Sequence, residues 1–497
     1  MLHRMPLVRA WMVFLLVSGA SVADEKLPHW QFRLSFTQEL RAEPFSGRVV
    51  LYFSQSRPQP RERLSWFNPE ILVGRDVTDW KPGEPLVIDS HQPGELVSYP
   101  QPIDKLNLAG WRVQAVARFN TWERNVGDGT GNGFSATAVV PNESMTVDLP
   151  ITQLVPERPF LENDWCKLFR VRSKLLSEFH QRDVFVQAAV LLPSSYHRQP
   201  ERKYPVIFTI PGFGGTHFDG VRTQPIHEQN DGGVEFLRVM LDPSCPLGHH
   251  VFADSANNGP WGTALVREFL PELDKQFRTD ARPQGRFLTG HSSGGWSSLW
   301  LMVSHPDDFA GTWSTAPDPV DFRDFQRINL YAEGENMYVD RAGQPRPIAR
   351  RGGQVLLWYR GFDLMEETLG TGGQLHSFEA VFSPRGSDGK PIRIWDRQSG
   401  AINTEAAKAW EAYDIRLVLE RHWPTLGPKL RGKLHVFMGD QDTFYLEGAT
   451  RLLQETLKRL DSDAVVELHP GRDHGSLLQP ALMQRIRAEM VAQYRQP

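Results

Sequence analysis

The sequence predicts an α/β fold, a mostly parallel sheet covered by helices on both faces, preceded by a small all-β domain of the Ig-like sandwich kind. Three observations predict it. Up to about residue 155, apolar residues recur with a period of two, and prolines and glycines punctuate the runs. From about residue 161, short apolar runs alternate with helical stretches. And 497 residues, 40% of them hydrophobic, exceed what one core usually organises.

The first 23 residues stand apart. Arg4 and Arg9 precede the apolar run Trp11 to Val17, and Ser21-Val22-Ala23 closes the segment before Asp24. A charged start, a short apolar middle and small residues at the end make a secretory signal peptide. The run is well short of the roughly 20 apolar residues of a membrane anchor, and no cysteine stands near the cut. The expected location is periplasmic or secreted.

Residues 24–155 are expected to form the sandwich. Trp111, Val113, Ala115, Ala117 and Phe119 alternate with Arg112, Gln114 and Arg118, and Met145, Val147 and Leu149 with Thr146 and Asp148. "KPGEP" and "HQPGE" separate such runs, and "ITQLVPERPF" reads as a linker. "VGDGTGNGFS" (126–135) resembles a calcium loop without the closing acidic ligand, so a hairpin loop is expected there.

Residues 156–497 are expected to form the second unit. Strands are predicted at 184–192, 206–210, 250–253, 287–289, 434–437 and 465–468. Helices are predicted at 263–277, 293–304, 449–460 and 481–494. The stretch from about 318 to 430 interrupts the alternation with Gly- and Pro-rich segments and one helix, 405–420, and reads as an insertion.

Composition excludes some functions. A net charge of −4 and a pI near 6.5 give no electrostatic case for nucleic acid or an anionic membrane. Cys166 and Cys245 are the two cysteines; an exported protein permits a bridge between them, worth about 4.5 kcal/mol by loop-closure entropy, or leaves two buried thiols. His249-His250 lacks a second spaced pair and reads as structural rather than metal-binding. Most of the 15 tryptophans should be core, with Trp261 and Trp296 set apart because they flank the candidate site.

That site begins at "RFLTGHSSGGWSS" (286–298). The register G-x-S-x-G fits one serine only, with Ser292 between Gly290 and Gly294. Apolar Phe287 and Leu288 precede it and a helix follows, so the serine sits on a sharp strand-to-helix turn. Ser293 opens the helix and offers its N–H to an oxyanion. A serine hydroxyl needs a base near neutral pKa and a carboxylate to orient that base. Downstream, "KLHVFMGDQDTF" offers Asp440 and Asp442, and "VELHPGRDHGSLL" offers His469 and His474. Asp442 and His474 stand further from the strand ends and are the candidates for acid and base. "YPVIFTIPGFGGTH" supplies a second oxyanion donor in the N–H of Phe213, with Gly214 close behind.

With "IPGFGG", "FADSANNGPWGTALVREFLPEL", "GHSSGGWSSLW", "GDQDTF" and "GRDHGSL", residues 166–482 resemble the esterase family typified by esterase D and enterochelin esterase. The resemblance implies an α/β-hydrolase fold and a serine esterase acting through an acyl-enzyme. It implies no cofactor and no metal, and a small-molecule or glycan-linked ester as the partner. Acyl transfer by the same triad, or a non-catalytic glycan- or siderophore-binding protein on this scaffold, are the alternatives. Residues 318–430 depart from the family pattern. Acyl and alcohol pockets are built by such insertions, so the ester stays open, as does the oligomeric state.

Overall fold

A computed structural model describes residues 27–225 and 233–496. The expected signal peptide lies outside the described residues. Among the described residues, no helix is long and apolar enough to cross a membrane.

The N-terminal part is all-β, but its nine strands form one hydrogen-bonded sheet instead of two. In spatial order the sheet runs Leu86–Asp89, Trp30–Phe36, Met145–Leu154, Gly133–Ser135, Arg112–Ala117, Phe45–Ser54, Leu72–Trp80, Val97–Tyr99, with Ala138–Val139 also on Arg112–Ala117. Neighbours are antiparallel except Trp30–Phe36 beside Met145–Leu154. Phe32 and Phe53 meet edge to face at 5.4 Å although three strands lie between theirs. At about 4.8 Å per strand, a flat sheet would hold them ~19 Å apart. The sheet therefore curls over and encloses its own core of Trp30, Phe32, Leu51, Phe53 and Val113. "ITQL", expected in the linker, extends the strand that ends at Leu154.

The strand Phe45–Ser54 explains how the two units join. Val49, Leu51 and Phe53 belong to the inner core, whereas Val50 and Tyr52, on the opposite face, join Val116 and Phe134 in the core of the second unit. Both faces are buried, so the sequence reads as the unbroken run "VVLYF" rather than an alternation. Arg118 donates to the carbonyl oxygens of Thr371 (2.7 Å) and Pro246 (3.0 Å) across the same junction.

The second unit is built on an eight-stranded sheet. Its order is Cys166–Arg172, Phe185–Leu191, Leu237–Leu241, Val206–Ile210, Arg286–His291, Gly311–Thr315, Leu434–Gly439, Val465–His469. Only Phe185–Leu191 runs antiparallel to its neighbours; the remaining pairs are parallel. The strand expected at 250–253 is corrected: those residues turn, with Val251 and Phe252 at φ of 47° and 51°. Its place is taken by Leu237–Leu241, whose second residue, Arg238, interrupts the apolar run that would have revealed it. The helix expected at 263–277 spans Trp261–Gln276 with a π-turn at Leu265–Phe269. Pro271, just beyond, has no N–H to close the regular pattern. The helix expected at 405–420 is two helices, Thr404–Trp410 and Ile415–Leu430, parted where Asp414 caps the second by accepting from the N–H of Leu417. Cys166 and Cys245 are free, buried thiols.

The segment 318–430 leaves the sheet after Gly311–Thr315 and returns at the adjacent Leu434–Gly439. It carries the ribbon Pro347–Arg351/Gln354–Trp358 and the helices Tyr359–Leu369 and Gln374–Phe382. These stand beside the ends of the parallel strands, where such sheets place their sites.

Candidate active site

Ser292 sits between the end of the strand Arg286–His291 and the helix Ser293–Ser304, at φ 60° and ψ −126°. A non-glycine residue held there costs on the order of 1–3 kcal/mol, which the surroundings must impose. They do so by contact. A Cβ on Gly294 would lie 1.9 Å from the carbonyl oxygen of Ile210, and one on Gly290 would lie 2.1 Å from that of Gly294. The N–H of Ser292 donates to the carbonyl of Thr315 at 3.1 Å. Only glycines admit so tight an elbow.

Asp442 is fully buried. Its Oδ2 is 2.7 Å from Nδ1 of His474, and its Oδ1 accepts the N–H of Phe444 at 2.8 Å. Burial pulls the pKa of His474 down, but the charge and hydrogen bond of Asp442, with Asp318 beyond, outweigh it and raise the pKa above the ordinary value. His291 lies 4.5 Å away, ring to ring. Burial, then repulsion from His474, pushes its pKa down to about 3, so it stays neutral. The rival carboxylate Asp440 instead accepts the N–H of Gly471 at 2.7 Å, tying the two loops together. His469 stands 3.6 Å from Glu467 and does not line the cavity that holds Ser292 and His474.

The loop after Val206–Ile210 passes close to the serine. A Cβ on Gly212 would stand 3.8 Å from Oγ of Ser292. His249 anchors this loop. Its Nδ1 accepts the N–H of Val251 (3.0 Å), which leaves the proton on Nε2 to donate to the carbonyl of Pro211 (3.0 Å). Burial holds its pKa at about 4, so the neutral tautomer persists. Further along, His217 pairs with buried Asp242 at 2.6 Å. Among the described residues, the N–H groups of Phe213 and Ser293 have no partner within the protein.

The cavity has a volume of 300 Å³ and is mostly apolar, with Ile348, Leu357, Phe362 and Phe378 of the inserted segment on one side. Three of its residues were not legible in sequence. Asp318 is buried, accepts from Oγ of Ser293 (2.5 Å) and Nε2 of Gln374 (3.3 Å), and is pushed up to about 6 by burial. Trp66 and Phe67 come from the loop between Phe45–Ser54 and Leu72–Trp80 of the first unit. The Trp66 ring lies 5.3 Å from Phe213 and 5.2 Å from Phe362. Phe67 lies 6.2 Å from Phe444, itself 5.0 Å from His474. The tryptophans set apart by sequence are elsewhere: Trp261 stacks on His250 at 3.8 Å and Trp296 on Trp300 at 5.3 Å, both buried. An adjacent aromatic pair in "LSWFNPE" was the available signal for Trp66 and Phe67, but not which domain it would meet.

The acid loop is also braced by the insertion. Arg350 donates through Nε to the carbonyl of Asp442 (3.0 Å) and through its N–H to that of Thr443 (2.8 Å). Among the described residues, Asp363, Glu367 and His376 are close enough together to hold a metal. Arg397 already lies 3.2 Å from Asp363 and 3.0 Å from Glu367, supplying the positive charge a cation would bring. In the 126–135 loop, Asp128 pairs with Arg61 and accepts the N–H of Arg63.

Residues 183–474 match the model of a protein family described as "Putative esterase". An esterase of Mycobacterium tuberculosis, found in two strains, is 32% identical over 158 residues, 31% of this chain. The match spans 34% of that relative's length. Similar solved structures include a ferulic acid esterase (14% identical, 67% of this chain and 100% of that one, TM-score 0.41). Another is an S-formylglutathione hydrolase from Agrobacterium tumefaciens (15%, 66% and 95%, TM-score 0.40).

Proposed function

The chain belongs to this esterase family, and from that membership we propose that it hydrolyses carboxylic esters through an acyl-enzyme on Ser292. The observation that carries the reading is the Nδ1 of His474 held 2.7 Å from buried Asp442 in the cavity that also receives Ser292 on its strained elbow.

In this mechanism Oγ of Ser292 attacks the ester carbonyl while Nε2 of His474 takes the proton. Asp442 fixes the tautomer and stabilises the imidazolium. The oxyanion accepts from the N–H groups of Phe213 and Ser293, a contribution of roughly 3–4 kcal/mol per donor in comparable sites. The tetrahedral intermediate then collapses, and His474 returns the proton to the departing alkoxide. Water, deprotonated by His474, attacks the acyl-enzyme and releases the acid. The apolar cavity accommodates one side of the ester as an aliphatic or aromatic group. Export through the first 23 residues is part of the same proposal.

A fluorophosphonate probe tests it. The label should map to Ser292 and disappear, together with ester turnover, in Ser292→Ala with the melting temperature kept. Undiminished labelling or turnover in that variant overturns the assignment.

A further inference from the structure

A second cavity, of 450 Å³, adjoins the first, and Trp66, Phe67 and Phe213 line both. Its character differs. Where the first is apolar around the candidate triad, the second is lined by Arg61, Arg63 and Arg124 of the N-terminal unit and by the glycine-rich turn 370–373 of the insertion.

Arg61 is committed. It pairs with Glu62 at 2.9 Å and Asp128 at 3.5 Å, donates to the carbonyl of Gly127 at 2.9 Å, and lies over the Phe134 ring. Arg124 is not. Among the described residues its guanidinium has no hydrogen bond and no ion pair, and its one close partner is the Phe213 ring, 4.8 Å from the guanidinium carbon. A Cβ at Gly214 would stand 3.7 Å from its Nη2, and glycine leaves that space open. Desolvation lowers the pKa of Arg124, with Glu123 and Asp242 acting against it from a distance. The cation is half-buried, none of its nitrogens is sealed from water, and its five unused donors can exchange that water for an anion.

The carboxylates on the cavity wall do not fill that role. Asp128 is engaged by Arg61 and the N–H of Arg63. Glu366 accepts the N–H groups of Gln374, Leu375 and His376 at the start of the helix Gln374–Phe382. Arg63 is exposed at the rim with its side chain in no ion pair among the described residues.

We propose that this cavity is an anion subsite, so that the substrates are esters apolar on one side and bearing a carboxylate on the other, gripped in bidentate fashion by Arg124. The inference rests on the esterase reading for its chemistry. Phe213 then links the two cavities: its N–H is the proposed oxyanion donor, and its ring carries the guanidinium that holds the far end of the substrate.

The test uses two pairs of chromogenic esters, each pair differing only in a terminal carboxylate or the isosteric primary carboxamide. One pair carries that group on the acyl side, the other on the alcohol side. In one pair kcat/KM should favour the carboxylate by about 10–100-fold, mostly through KM. The preference should fall about tenfold or more in Arg124→Gln, survive in part in Arg124→Lys, and shrink with added salt. Calorimetric binding of the same compounds to Ser292→Ala, with and without Arg124→Gln, reads the subsite without turnover. Equal or reversed preference in both pairs, or a preference untouched by Arg124→Gln, overturns the subsite. Turnover absent while the carboxylate compound still binds through Arg124 would instead overturn the esterase reading and leave the subsite supported.

Discussion

The indole of Trp66, from the N-terminal unit, lies 5.3 Å from the ring of Phe213, on the loop proposed to cradle the oxyanion. Two residues nearly 150 positions apart thus share a wall of the candidate site. The all-β unit is a structural part of the cavity.

That contact sets the first prediction. Trp66→Ala removes a ring packed between Phe213 and Phe362, contacts worth about 0.5–1.5 kcal/mol each beyond burial. kcat/KM for esters with an apolar side should fall by about tenfold or more, with the melting temperature lowered by no more than a few degrees because the residue is only partly buried. Full activity in this variant would mean that the loop merely covers the site.

The choice between the two aspartates is the second. Asp442→Asn should leave the fold intact and lower kcat by about 10⁴, since the amide holds the imidazole in the wrong tautomer. Asp440→Asn weakens its bond to the N–H of Gly471 and should lower the melting temperature by a few degrees, with most activity kept. Melting curves and kcat for both variants check it.

The third concerns the two adjacent serines. Ser292→Ala should abolish turnover. Ser293→Ala keeps its backbone N–H but removes the hydroxyl that donates to buried Asp318, leaving only Gln374 on that carboxylate. A loss of about 1–2 kcal/mol in stability with most of the turnover retained is expected, read by denaturant unfolding and steady-state kinetics.

The fourth is a pH profile. The base must be neutral to accept a proton, so kcat/KM rises with pH through the pKa of His474. Asp442 and Asp318 raise that pKa over the opposing effect of burial, so the midpoint should lie above the ordinary histidine value of about 6.5. Asp318→Asn removes one negative charge and should move the midpoint down. His291, held neutral throughout, contributes no limb of its own. A midpoint below 6 in the wild type would contradict the charge arrangement.

What the sequence revealed, it revealed through local grammar. The elbow was legible because Gly290, Ser292 and Gly294 obey short-range steric demands. The pairing of Asp442 with His474 was legible because strand ends and loop lengths constrain which side chains two neighbouring loops can bring together. The expected pair of sheets in the N-terminal unit gave way to a single curled one, because period-two alternation reports burial on one side and says nothing of which strands share hydrogen bonds. Leu237–Leu241 escaped because Arg238 breaks its apolar run. Trp66, Asp318 and Arg124 escaped for another reason. Their places at the cavities come from surfaces brought together by tertiary packing, between segments with no shared sequence pattern.

From Val49 to its end, the strand Phe45–Ser54 has no solvent side. Cutting the chain near residue 155 would leave Val50, Tyr52, Val116 and Phe134 facing water on one fragment and their partners stranded on the other. The boundary so plain in the sequence is one of grammar rather than of separable parts. The β unit cannot be exchanged for another like a cartridge, and any change in what the cavities accept has to be made residue by residue within this one chain.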